Sequence, residues 1–288
     1  MERKKYIFVG NRYYVLKKMI GLGIYVEKIY AVKDSFLSRW LDNEKIEYEV
    51  LMHKEEFVEI LKKNQFDYLI SNGCPYILPI SKLYNGHNKF INIHPSLLPE
   101  LRGKNPINGA ILFERRHGVT CHYMTDEVDK GEICAQIEIP MTEDLDLDLL
   151  YQISFRLEAK VFEEAYNNNF SKKGSILPFS DKTIYYSKKR HDSIINKDDE
   201  IDTILKKVKA FSSEGQFASF FHNGLLIEVS SAEIIRNPIV REVLDNYGEN
   251  TVLLVYGKNT VVFKIKKEFM KFRLRQSVKL IEGSKLID

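Results

Sequence analysis

The chain has 288 residues, 44% of them hydrophobic and 29% charged, and carries a formal net charge of +3. That length accommodates one large domain plus a smaller one, and the composition is that of an ordinary globular protein, which excludes a disordered chain. Three cysteines (Cys74, Cys121, Cys134) form an odd set without C-x-x-C spacing, so buried reduced thiols are expected instead of a disulfide framework or a zinc site.

The opening "MERKKYIFVGN" holds too few apolar residues for a secretory leader or a membrane span, and a cytoplasmic location is expected. Downstream, "YIFVG", "IYAV", "YEVL", "DYLIS", "FINIH", "VTCHYM" and "ICAQIEI" read as strands, with helical patterns such as "EEFVEILKKN" between the earlier ones. That alternation predicts an α/β fold with a mostly parallel sheet and helices on its faces. Gly21 and Gly23 follow the first helix, so they suit a helix C-cap and not a dinucleotide fingerprint. In "KNPINGAILFERRHG", Asn105 can cap a helix, Pro106 suits its first position and Gly118 its end, with His117 in the last turn. A longer amphipathic helix is expected over about 145–166, with Leu149, Ile153, Leu157, Val161 and Ala165 at helical spacing.

The polar stretch "NNNFSKKGSILPFSDK" breaks the pattern and divides the chain into an expected catalytic domain, 1–180, and a smaller C-terminal domain, 181–288. The latter opens on a helix, "EIDTILKKVKAF", continues in "GLLIEVSSAEII", and ends in two β-rich runs around Gly257-Lys258-Asn259. A smaller α+β domain ending in a β-hairpin is expected. After residue 180, 19 Lys and Arg stand against 15 Asp and Glu, and seven of the bases fall in "KIKKEFMKFRLRQSVK". Alternation with Phe, Leu and Val makes that stretch read as a solvated edge strand before it reads as an RNA contact.

In a strand, side chains two apart share a face, so Asn92 and His94 of "FINIHPSLLP" point the same way at a strand's C-terminal end, where open parallel sheets bind ligands. An amide donor beside an imidazole can stabilise an oxyanion and accept a proton. A lone strand-end histidine is more often structural, because catalysis needs a partner. One follows in "GVTCHYMTDEVDKGEI": Asp129 lies in a loop after a strand, and Gly131 permits close backbone approach. His122, in the same block, reads equally well as a satisfied strand histidine.

"N-x-H-P-S-L-L-P-x-x-R-G-x-x-P" followed by "G-V-T-x-H" and "D-x-G-x-I" resembles the N10-formyltetrahydrofolate-dependent formyltransferase family, over roughly Tyr68 to Ile139. The resemblance implies a Rossmann-like formyltransferase domain with Asn92, His94 and Asp129 as its catalytic trio and no metal. It implies N10-formyltetrahydrofolate as formyl donor, held by Tyr76, Ile77 and Leu78 on one side and by the loop with Asp126 and Val128 on the other. Among its members, "YYSKKRHDSII" and the following segment are most like the nucleotide-sugar N-formyltransferases. The expected acceptor is the amine of a dTDP-linked amino deoxysugar destined for a surface glycan such as the lipopolysaccharide O-antigen, with the 3- or 4-position left open. Gly10, Asn11, Arg12 and Lys104 would then meet the acceptor's phosphates. The same resemblance suggests a homodimer, with no nucleic acid or membrane partner. A methionyl-tRNA formyltransferase and a non-catalytic or hydrolytic folate-binding relative are the alternatives; the tRNA enzymes' second domain is a β-barrel, which calls for more strands than are legible after residue 180.

Overall fold

The computed structural model describes residues 3–175, 183–245 and 247–288. Two units divide it: Met1–Ala110, Arg115–Thr142 and Leu150–Tyr186 make up the first, and Ile111–Glu114, Glu143–Leu149 and Ser187–Asp288 the second. The boundary expected at residue 180 falls within 176–182, outside the described residues.

The first unit runs β1 (Tyr6–Gly10), α1 (Tyr14–Gly21), β2 (Val26–Ala31), α2 (Phe36–Glu44), β3 (Glu49–Val50), α3 (Lys54–Lys63), β4 (Tyr68–Asn72), α4 (Ile80–Leu83), β5 (Lys89–His94), β6 (Leu101–Arg102), α5 (Pro106–Leu112), β7 (His117–Tyr123), β8 (Ile133–Ile139), α6 (Leu147–Asn167) and β9 (Ile184–Tyr185). Its sheet has the order β3-β2-β1-β4-β5-β7-β8. The first five strands are mutually parallel, β7 runs antiparallel to β5, and β8 antiparallel to β7. Continuous apolar runs such as Ile7, Phe8 and Val9 are buried throughout, as strands covered on both faces must be.

α5 keeps Pro106 at its start but ends at Leu112, which corrects the expectation for two residues. Gly118 lies inside β7, where an added Cβ would sit 2.3 Å from the Ile137 carbonyl oxygen; close strand packing, not helix termination, requires it. His117 opens the same strand, fully buried, and donates from Nε2 to the Ser154 hydroxyl at 2.9 Å. It caps no helix.

In the second unit come a 3₁₀ turn (Arg190–Ser193), α7 (Ile201–Ala210), β10 (Ala218–His222), β11 (Leu225–Ile234), α8 (Pro238–Leu244), β12 (Thr251–Tyr256), β13 (Thr260–Ile265) and β14 (Glu268–Leu274). The strands form one antiparallel sheet in the order β10-β11-β14-β13-β12. The expected hairpin is β12–β13, and β14 extends it into a meander. The basic stretch is no edge: β14 is a central strand with Phe269, Met270, Phe272 and Leu274 buried and Lys271 and Arg273 turned to the wet face. Period-2 alternation reports one solvated face and says nothing of sheet position. Five strands also exceed what the sequence displayed, so strand count does not argue against an RNA-binding module.

Candidate functional site

Three parallel strands end side by side, with Gly10 of β1 level with Asn72 of β4, and Ser71 level with Asn92 of β5. Asn92 and His94 project on one face, and the antiparallel neighbour β7 sets His122 opposite Asn92 and Thr120 opposite His94. Thr120 braces the chain leaving β5: its hydroxyl donates to the Ser96 carbonyl at 2.7 Å and accepts the Leu98 N–H at 3.1 Å. The Leu98–Pro99 peptide in this loop is cis.

Asp129 arrives from the β7–β8 connection with φ 53°, a left-handed conformation. Gly131 permits that approach, since a Cβ there would lie 1.7 Å from the Tyr123 carbonyl oxygen. The Asp129 carboxylate lies between two imidazoles, 3.7 Å from His94 Nε2 and 3.6 Å from His122 Nε2, and accepts the Gly103 N–H at 2.9 Å. Burial alone would raise its pKa; attraction to the two imidazoles in their protonated forms and the Gly103 N–H outweigh that and hold it well below the ordinary value. His94 moves the other way from a cation: burial pushes its pKa down, His122 and Arg12 add to the depression, and the Asp129 charge opposes it.

Hydrogen-bond partners assign the tautomers. His94 Nε2–H donates to the Leu101 carbonyl at 3.1 Å, leaving Nδ1 with its lone pair and without a hydrogen-bond partner among the described residues. His122 donates from Nδ1 to the Tyr123 carbonyl at 2.7 Å, so its Nε2 accepts from Asn92 Nδ2 at 3.2 Å. One amide hydrogen of Asn92 has no partner among the described residues. The cluster therefore offers a neutral base, an oriented amide donor and a buried carboxylate, the set that acyl transfer to an amine requires. His122 belongs to this cluster; its place beside Asn92 was hidden because strand pairing cannot be read from one sequence.

Around the trio the expected ligand residues divide. Leu78 is only 1% exposed and packs in the core, Tyr76 donates its hydroxyl to the Met52 carbonyl at 2.8 Å, and Ile77 between them is 54% exposed. Asp126 accepts the Ser81 N–H at 3.0 Å and thus ties the Val128–Asp129 loop to α4. Gly10 is needed by the sheet, its missing Cβ falling 2.1 Å from the Asn72 carbonyl oxygen. Arg12 is bound inwards: Nε and Nη2 grip Glu158, itself fully buried, at 2.9 and 2.7 Å, and Nη1 donates to Asn11 Oδ1 at 3.2 Å. Lys104 is exposed. Among the described residues no group of His, Cys, Asp and Glu has the arrangement of a metal site, and no helix is long and apolar enough to cross a membrane.

A mostly parallel α/β sheet with this cluster at its strand ends gives the first unit a Rossmann-like architecture. Residues 32–166 match the formyl transferase family. Over 187 residues the chain is 30% identical to the methionyl-tRNA formyltransferase of Syntrophus aciditrophicus (strain SB), covering 64% of this chain and 59% of that protein. Among the solved structures that share its fold are two formyltransferases. WlaRD, a sugar 3N-formyl transferase determined in the presence of dTDP and 5-N-formyl-THF, superimposes with a TM-score of 0.65 at 19% identity, over 96% of this chain and 100% of its own. A 4-N formyltransferase from Francisella tularensis gives 0.64 at 22% identity, over 80% and 98%.

Proposed function

We propose that the protein transfers a formyl group from N10-formyltetrahydrofolate to the amine of a nucleotide-linked amino deoxysugar. The observation that carries formyl transfer is the Asn92–His122–Asp129–His94 cluster inside the segment that matches the formyl transferase family. The donor's place fits the exposed Ile77 between two anchored neighbours, together with the acidic loop that Asp126 fastens to α4. The donor supplies an activated formyl carbon. His94 Nδ1 receives the proton that the amine nitrogen loses as its lone pair forms the new N–C bond, and returns it to the nitrogen released when the old C–N bond breaks. The other amide N–H of Asn92 faces the formyl oxygen as negative charge gathers there, and Asp129 steadies the imidazolium between these two transfers.

The choice of a sugar is supported by the extent of the likeness: the match to WlaRD runs through both units, over 96% of the chain. The Gly10–Asn11 corner and Lys104 serve the acceptor side in this reading, and a homodimer in the cytoplasm is its natural setting. Identity to the methionyl-tRNA enzyme favours a second reading with charged initiator tRNA as acceptor. Incubation with N10-formyltetrahydrofolate and a panel of dTDP- and UDP-linked amino sugars, analysed by mass for one added formyl group, tests the proposal. Formylation of charged tRNA with every sugar left unmodified would refute the acceptor, and release of tetrahydrofolate without any formylated amine would refute transfer.

A further inference from the structure

We propose that Arg102 is an anion-binding residue of this site, its guanidinium receiving a phosphate or carboxylate oxygen of a molecule seated against the His94–Asp129 pair. The proposal rests on the acyl-transfer reading above and names a contact that reading lacks. Arg102 lies in β6 between the two backbone groups that hold the pair: the Leu101 carbonyl accepts from His94, and the Gly103 N–H donates to Asp129. Its own backbone is fixed by pairing with Tyr185 and by the Tyr186 N–H, which donates to the Arg102 carbonyl at 2.8 Å.

The part-exposed side chain, by contrast, keeps one buried donor unmatched. Arg102 Nε is buried without a hydrogen-bond partner, alone in belonging to a permanently charged group among the buried polar side-chain atoms so left in the described residues. Every other arginine of the first unit is engaged: Arg12 with Glu158, Arg39 with the Asp34 carbonyl, Arg115 with Glu100, Arg116 with Glu138, Arg156 with Gln152, and Arg3 over the Tyr25 ring. Burying an unpaired guanidinium donor is unfavourable, and such a group persists where a ligand completes it. The planar fork matches a phosphate or carboxylate in two parallel hydrogen bonds. Arg12, with three of its N–H groups already committed, is the poorer candidate for that role. The acceptor's phosphate is the favoured source, because the expected folate contacts lie on the Tyr76–Leu78 and Asp126–Val128 segments.

Full-length wild type, Arg102→Gln and Arg102→Lys decide the matter through three measurements. Calorimetric titration with inorganic pyrophosphate should show binding to wild type, weakening by about tenfold or more in Arg102→Gln, and partial recovery in Arg102→Lys. Without ligand, Arg102→Gln should melt at or above the wild-type temperature, whereas a structural arginine would leave it less stable. With an accepted amino sugar, its KM should rise by about tenfold or more while kcat and the affinity for 5-formyltetrahydrofolate hold. Loss of folate affinity with an unchanged acceptor KM would support the anion site and assign it to the folate carboxylates. Unchanged affinity for pyrophosphate, acceptor and folate in Arg102→Gln would overturn the proposal, as would a drop in melting temperature accompanying the loss of all three. Should wild type formylate no amine at all, the acyl-transfer reading falls while the pyrophosphate arm still tests Arg102.

Discussion

His94 differs from a surface histidine in two ways that set its chemistry: its Nε2–H is held by the Leu101 carbonyl, and burial keeps the ring neutral. A base must be unprotonated to act, so a depressed pKa extends its working range downward, and the acidic limb of kcat/KM is expected below the ordinary value of about 6.5. Asp129 opposes the depression, because its negative charge favours the protonated ring. Asp129→Asn should therefore move the acidic limb to still lower pH while reducing the plateau by about a hundredfold or more. A limb displaced to higher pH would contradict the assigned electrostatics. Asn92→Ala removes the amide donor, and losing one oxyanion donor costs about 2.7–4 kcal/mol in the barrier, or roughly a hundred- to a thousandfold in kcat. Denaturation midpoints near wild type, with turnover also near wild type, would remove Asn92 from the mechanism.

At the scale of elements, the β7–β8 pair carries both the shape of the site and a stability signature. Gly131→Ala places a methyl group against the Tyr123 carbonyl oxygen, so the strands must part and Asp129 must shift. A loss of about 2 kcal/mol or more in urea unfolding is expected, together with lower turnover. Gly21→Ala, at a helix end with nothing within 4 Å, should be neutral or mildly stabilising, by up to about 1 kcal/mol. His117, on the α6 side of the sheet, is buried with its pKa pushed down to about 3 chiefly by burial. The unfolded chain then binds a proton that the native state refuses, so stability is full above about pH 6.5 and falls as pH drops towards 3. Between pH 6.5 and 5 this residue alone should cost about 2 kcal/mol, and His117→Gln should flatten the stability profile by that amount. The strands of the first sheet were legible in the sequence because strands buried on both faces are written as unbroken apolar runs. Their order was not, since pairing is a non-local property, and this is why His122 stayed ambiguous and His117 was misplaced at a helix end. β10 went unread because its "ASFFH" is short and follows a turn with no flanking alternation.

For the molecule as a whole, the distribution of charge separates the two acceptor classes. The basic stretch around β14 could have been an RNA-facing patch on sequence grounds, yet four of its seven bases are paired: Lys264 with Asp245, Lys266 with Glu200, Lys271 with Glu233 and Arg275 with Glu214. Sequence shows the bases; only the folded sheet and its flanking helices show the acids that answer them. Exposed pairs of this kind contribute little to stability, but they cancel the field that would draw in a polyanion. Binding to nucleic acid weakens with salt in proportion to the number of phosphates neutralised, with a logarithmic slope of about 0.7–0.9 per phosphate. A nucleotide-linked sugar presents two phosphates, so its KM should rise by no more than about tenfold between 50 and 200 mM salt. A tRNA acceptor held through six or more phosphates would lose about a thousandfold in affinity over the same range. Initial rates measured across that range with the acceptor found in the panel assay discriminate the two, and a steep dependence would mean that the second unit presents a basic surface to RNA despite its internal pairing.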